Sequence, residues 1–224
     1  MLPNAEAVGA ESWLDDALAR FTAANLPFAA RTSALLERIV ANTGRHARLL
    51  NTLSMLEHMG SHKIMATQHS AAVDQPTLRH VAEEAHHAFF MKRQAEKTAG
   101  RSLQFVAEDL LAPAAARMYF QRLEGATVRT LGSERSARAA YLYMSMIVEF
   151  RALWFYGLYQ QALNQARHAL SLKRVLGEEQ AHLGEMAGRL DAAGELDDTR
   201  AAPLLAAEQA LFGRMLGALE RASP

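Results

Sequence analysis

Glu83-Glu84-Ala85-His86-His87 and Glu178-Glu179-Gln180-Ala181-His182 each contain Glu-x-x-His, and each lies in a stretch of helical periodicity. On a helix the i, i+3 spacing sets a carboxylate and an imidazole one turn apart on one face, so both can reach one ion. Two further glutamates, Glu57 and Glu149, stand alone on apolar faces of other helical stretches. In chain order, Glu57, Glu84 with His87, Glu149, and Glu179 with His182 supply four carboxylates and two imidazoles. Hard or borderline divalent ions such as Fe(II) and Mn(II) accept that donor set, and glutamates can bridge two of them. The charge of four carboxylates matches that of two divalent ions. Without metal, the same carboxylates in a core would repel and would have to take up protons.

Rotation about the helix axis selects the register. At 100° per residue, the face centred on Glu84 also carries Thr77, His80, Val81, His87, Ala88, Met91 and Ala95. Glu83, His86, Arg79, Arg93 and Lys97 fall on its flank or far side, whereas a Glu83/His86 register would draw Arg79 and Pro76 inward. The face centred on Glu179 carries Leu172, Val175, Leu176, His182, Leu183, Met186 and Leu190. Phe89 and Phe90 fit neither register of their helix. His80 shares the Glu84 face and reads as a hydrogen-bonded core histidine or as an added ligand. His58, His62, His69, His86 and His168 read as surface residues, and the methionines as core fillers. Small residues gather near the solitary glutamates: Ser54, Gly60 and Ser61 by Glu57, and Ser145 and Ala152 by Glu149. They permit either a cavity or close helix packing. Tyr156, beyond Glu149 on its face, could donate a hydrogen bond in such a cavity.

Every long segment that must position these residues reads as helix, and none shows sustained strand alternation. A first amphipathic helix is expected over residues 12–25, stopped before Pro27, with Thr32 or Ser33 capping a second that runs to or through Gly44. The first glutamate-bearing helix is expected over 45–70. The second starts at Asp74-Gln75-Pro76 and closes at Gly100. Residues 101–133 read as a connection with two short helical pieces, punctuated by Pro113, Gly125 and Gly132. Helices over 134–163 and 166–193 follow, then a last one over 200–221 with caps at Asp197 to Thr199. The midpoint between Glu57 and Glu84 falls near Ser70–Ala71, and that between Glu149 and Glu179 at Asn164. Each pair therefore lies level in an antiparallel hairpin, roughly 20 Å from its turn. The long interval between Glu84 and Glu149 calls for a crossover joining the two hairpins.

These residues resemble the ferritin-like di-iron carboxylate superfamily, whose signature is Glu … Glu-x-x-His … Glu … Glu-x-x-His. The match is Glu57, Glu84 with His87, Glu149, and Glu179 with His182, and it covers roughly residues 45–193. The resemblance implies an all-α, ferritin-like four-helix bundle with a long crossover between its second and third helices. The terminal helices are extra, and the whole chain, 1–224, forms a single domain. It further implies two iron ions, or a manganese-containing pair, held by those six residues. Many oxygen-activating members carry an acid, commonly aspartate, just before the two paired glutamates, where it hydrogen-bonds a metal-bound histidine across the site. Glu83 and Glu178 occupy those places.

Composition narrows the function. Lys plus Arg and Asp plus Glu number 24 each in 224 residues, with no basic tract, which argues against a nucleic-acid partner. The chain has no cysteine, which excludes disulfides and thiolate sites, and Met1 to Ala10 lacks the pattern of a secretory signal. Ala139 to Tyr159 is apolar except for Ser145, Glu149 and Arg151. Two charges near a bilayer centre, at roughly 2.5–3.5 kcal/mol each, argue against a membrane span. The resemblance implies an oxidoreductase that uses dioxygen or peroxide on a small-molecule organic substrate, with an electron-donor protein as an optional partner, and the lack of cysteine fits a cytoplasmic one. The alternatives are a ferroxidase or iron-handling protein and a metal-free helical interaction protein. Tyr143, Met144, Ile147, Trp154 and Phe155 point away from the Glu149 face, which predicts a homodimer with this helix near the interface.

Overall fold

The computed structural model describes residues 5–68, 73–132 and 137–224. Among them there are seven α-helices, one 3-10 turn and no strand. The helices are α1 (Ala5–Val40), α2 (Thr43–Ala66), α3 (Gln75–Ala99), α4 (Pro113–Leu131), α5 (Ala137–Gln165), α6 (Lys173–Ala192) and α7 (Asp198–Ala222). None is long and apolar enough to cross a membrane.

Caps set several boundaries. Asn42 accepts from the Arg45 amide and opens α2, so the break with α1 falls before Gly44, which lies in the first turn of α2. Asp74 accepts from the Thr77 amide with Pro76 in the first turn of α3, and Gly100, at φ 67°, ends that helix in the left-handed region. Asp197 accepts from the Arg200 amide at the start of α7. The turn expected at Ser70–Ala71, His69 and the residues just before α5 lie outside the described residues. The α5–α6 turn comes later than expected: α5 continues to Gln165, Arg167 takes a positive φ of 51°, and α6 starts at Lys173.

Two expectations about helix breaks need correction. Residues 12–25 do not form a separate helix, because α1 continues through Pro27. A proline inside a helix costs about 3 kcal/mol. Here Leu14, Ala17 and Phe21 before it, and Leu35, Leu36 and Ile39 after it, are all buried, and α1 packs on α5 and α6. The side chains of Asn25 and Gln209 also donate to the carbonyls of Phe21 and Ala24 around the proline. The second correction concerns residues 101–133. They hold a 3-10 turn at Ala107–Asp109 and one 19-residue helix, α4, that passes through Gly125. A mid-helix glycine costs about 1 kcal/mol. The buried stripe of Ala116, Tyr119, Phe120, Leu123 and Ala126 outweighs it. The loop before α4 is pinned to α2: Asn51 donates to the carbonyls of Gln104 and Asp109, and Thr52 accepts from the Leu111 amide.

Cross-helix bonds give the helix directions. Ser54 bonds Ala88 and Lys92 bonds Asn51, so α2 and α3 are antiparallel. Arg79 pairs with Glu185, Glu83 with His182 and His87 with Glu178, so α3 and α6 are antiparallel. Tyr143 bonds Glu195 and Gln160 bonds Leu172, so α5 and α6 are antiparallel. It follows that α3 and α5 run in the same direction. The chain after Gly100 must therefore return along the molecule before α5 begins, and α4, about 28 Å long, supplies most of that span.

The outer faces of α5 are covered by its own chain. Tyr143, Ile147 and Phe155 are buried and Met144 and Trp154 partly so, against neighbours that include α1, α4 and α7. Neighbours within the chain thus cover most of the apolar surface of α5. Arg151 does not pair with Glu149 on its own helix. Its Nε and Nη2 donate to Glu208 of α7 at 2.7 Å each, Nη2 also donates to Asn25 of α1, and Tyr119 of α4 donates to Glu208. The guanidinium lies 3.7 Å from the ring centroid of Phe212.

Candidate metal centre

Each of α2, α3, α5 and α6 buries an acid. Glu57, Glu84, Glu149 and Glu179 are buried together with His87 and His182, while His86 is exposed and Glu83 only half-buried. On α3 the buried face is Thr77, His80, Glu84, His87, Ala88, Met91 and Ala95; on α6 it is Val175, Glu179, His182, Leu183, Met186, Ala187 and Leu190. Of the two aromatics that fitted neither register, Phe89 is exposed and Phe90 packs partly on the core.

The inward side chains form two groups of four that share Glu84. One is Glu57, Glu84, His87 and Glu179; the other is His80, Glu84, Glu149 and His182, with the donor atoms of each group within 4.8 Å of one another. Glu179 reaches both groups, its Oε1 lying 3.3 Å from His87 Nδ1 and its Oε2 3.1 Å from His182 Nδ1. Glu84 Oε1 lies 3.9 Å from His87 Nδ1 and 3.7 Å from His182 Nδ1. Glu57 accepts a short hydrogen bond from the Tyr156 hydroxyl.

The outward nitrogens of the two paired histidines are tied across the α3–α6 contact. His87 Nε2 meets Glu178 Oε2, and His182 Nε2 meets Glu83 Oε2, both at 2.8 Å. Each glutamate therefore holds the histidine of the opposite helix, and each is backed by an arginine. Arg174 lies 2.8 Å from Glu178, and Arg79 lies 3.9 Å from Glu83. With Nε2 tied to the outer carboxylate, Nδ1 of each ring faces the interior acids.

The close approach of these acids and imidazoles shifts how each holds its proton. Burial by itself lowers an imidazole's pKa, but the facing carboxylates reverse that. His80 is pushed up to about 12 by Glu149 and Glu84, His182 to about 11 by Glu149 and Glu179, and His87 to about 10 chiefly by Glu179. Burial, reinforced by the charges of Glu84 and Glu179, raises Glu57 well above the usual carboxylate range. Glu179 is raised by burial and by Glu149, whereas Glu149 is buried yet held low by His182 and His80. Even so, His80 Nε2, Glu84 Oε1 and His87 Nδ1 are buried with no hydrogen-bond partner. Buried polar atoms rarely stay unpaired, and these three all belong to the two groups.

A cavity of about 330 Å³ borders one side of the cluster, between α2, α4 and α5, with α7 contributing to its wall. Glu57, His80, Glu84, Glu149 and Tyr156 meet it on the side of the acid cluster; leucines, Phe120, Met144, Val148 and Phe155 make an otherwise largely apolar wall. Gly60, Ser145 and Ala152 line it as well. A Cβ on Gly60 would lie 3.3 Å from Glu84 Oε2, so this glycine gives Glu84 its room. Ser54 and Ser61, read as cavity residues, do not line it. Their hydroxyls donate to the Ala88 and His58 carbonyls, and Ser54 thereby helps α2 pack on α3.

Sequence reasoning did not single out Tyr141, whose hydroxyl lies 2.8 Å from His80 Nδ1, or Arg174 behind Glu178. For Arg174 the i, i+4 spacing to Glu178 was an available signal. Comparison of the chain with models of known families, with curated proteins and with solved structures yields no match.

Proposed function

We propose that this chain is a non-haem di-iron carboxylate oxidoreductase that uses dioxygen or peroxide on a small apolar organic substrate. In this reading α2, α3, α5 and α6 form a ferritin-like four-helix bundle, with α4 in its crossover and α1 and α7 added outside. The side chains present suit a pair of divalent ions. Carboxylates and imidazoles are the donors that iron and manganese accept, they converge from four helices, and three donor atoms lack other partners. Glu57 and His87 would hold one ion and Glu149 and His182 the other, with Glu84 and Glu179 facing both. When bound, the ions supply activation of dioxygen or peroxide.

The remaining work falls to the chain's own residues. Glu178 and Glu83 fix the tautomers of His87 and His182 and raise their basicity. Tyr156 holds its hydroxyl proton against Glu57, and burial together with the Glu57 charge raises its pKa. The apolar walls exclude water and admit a substrate of matching polarity.

The observation that carries this reading is the apolar cavity in contact with one side of the carboxylate cluster. An iron-storage role has no use for an apolar chamber of substrate size beside the ions. Ala152→Phe, which fills the cavity from α5, should leave two irons per chain. It should also slow O2-dependent oxidation of medium-chain aldehydes or amines by the iron-loaded protein about a hundredfold, as misplacement of a substrate does. Iron uptake far beyond two ions per chain, with no substrate oxidation by the unaltered protein, would contradict the proposal.

A further inference from the structure

His80 has no counterpart in the four-glutamate, two-histidine signature, yet it stands at the cluster like the two histidines that do. It lies one helical turn before Glu84 on α3, so His80, Glu84 and His87 line one face of one helix. Its Nε2 is 3.4 Å from Glu84 Oε1 and 3.4 Å from Glu149 Oε1, is buried, and makes no hydrogen bond. Its Nδ1 meets the Tyr141 hydroxyl at 2.8 Å. A hydrogen-bonded core histidine satisfies both nitrogens, whereas this ring is anchored at one end only. His87 and His182 show the same arrangement, one nitrogen tied to an outer partner and the other turned to the carboxylates.

We infer that His80 is a seventh protein ligand, bound through Nε2 to the ion held by Glu149 and His182, and that the two metal positions are therefore chemically unequal. This rests on the two-metal reading above. One position then has two imidazoles and Glu149, the other one imidazole and Glu57, with Glu84 and Glu179 facing both. Imidazole donors suit the later first-row ions, and a carboxylate-rich set suits the harder ones. The His80 position should fill first with Co(II), and the Glu57 position should be the more tolerant of Mn(II). Tyr141 acts as a positioning residue, accepting from Nδ1–H so that the Nε2 lone pair faces the ion.

Co(II) reports on this without any assay of activity. The full-length protein should take up two Co(II) in two resolved steps. Its proton spectrum should show three exchangeable, paramagnetically shifted imidazole N–H signals, from His80, His87 and His182. His80→Ala should weaken one step at least about tenfold and remove one signal, while far-ultraviolet circular dichroism stays helical. Tyr141→Phe, which keeps the ring in place, should weaken the same step less. Two bound Co(II) with only two shifted N–H signals in the unaltered protein would overturn the assignment of His80 and leave the two-metal reading standing. Uptake of one Co(II) or none would overturn both.

Discussion

The two carboxylate–histidine contacts across α3 and α6 are where single atoms matter most. Glu178 on His87, and Glu83 on His182, each set which imidazole nitrogen carries the proton. Glu178→Gln keeps the size of the side chain and removes its charge. The account predicts a 10–100-fold loss of metal affinity with little change in helix content, measured by competition with a chelator and by circular dichroism. An unchanged affinity would mean that Glu178 serves only its surface pair with Arg174. At this scale much of the arrangement was legible, because the 3.6-residue period alone turns Glu84 and Glu179 inward and leaves Glu83 and His86 outside. Which small residues border the cavity was not legible. Ser54 and Gly60 lie on the same helix, and only the rotation of α2 against α3 and α4 sends one to a backbone carbonyl and the other to the cavity.

Among the elements, the helices with strong local signals lie close to where the caps place them, as α3 between Asp74 and Gly100 shows. Local signals failed where packing overrode propensity: α1 runs through Pro27 and α4 through Gly125. The interior charge of α5 is explained by the same long-range packing. Residues two apart on a helix do not face each other, so Arg151 needs a partner from elsewhere, and α7 brings Glu208 against it in a contact shared by α1 and α4. Glu208→Ala strands a buried guanidinium and should cost about 3–5 kcal/mol in urea unfolding. The double replacement Arg151→Met with Glu208→Leu should cost less than that single change, since removing both charges removes the desolvation penalty too. A larger loss in the double variant would show that the ion pair itself, and not the need to neutralise a buried charge, holds these helices together.

At the scale of the whole molecule, the seven helices of the described residues enclose four converging carboxylates, three imidazoles and an apolar cavity, and they also cover α5. Ions bound there as proposed should stabilise the folded state, because the unfolded chain cannot assemble the site. Metal content of protein purified from iron-supplemented cells, determined by elemental analysis against protein concentration, tests this most directly. The account predicts two ions per chain, falling to one or none in Glu179→Ala but unchanged in Glu185→Ala, whose carboxylate pairs with Arg79 and Arg189 away from the cluster. Metal-replete protein that reproducibly holds fewer than two ions, or equal loss from both variants, would contradict it.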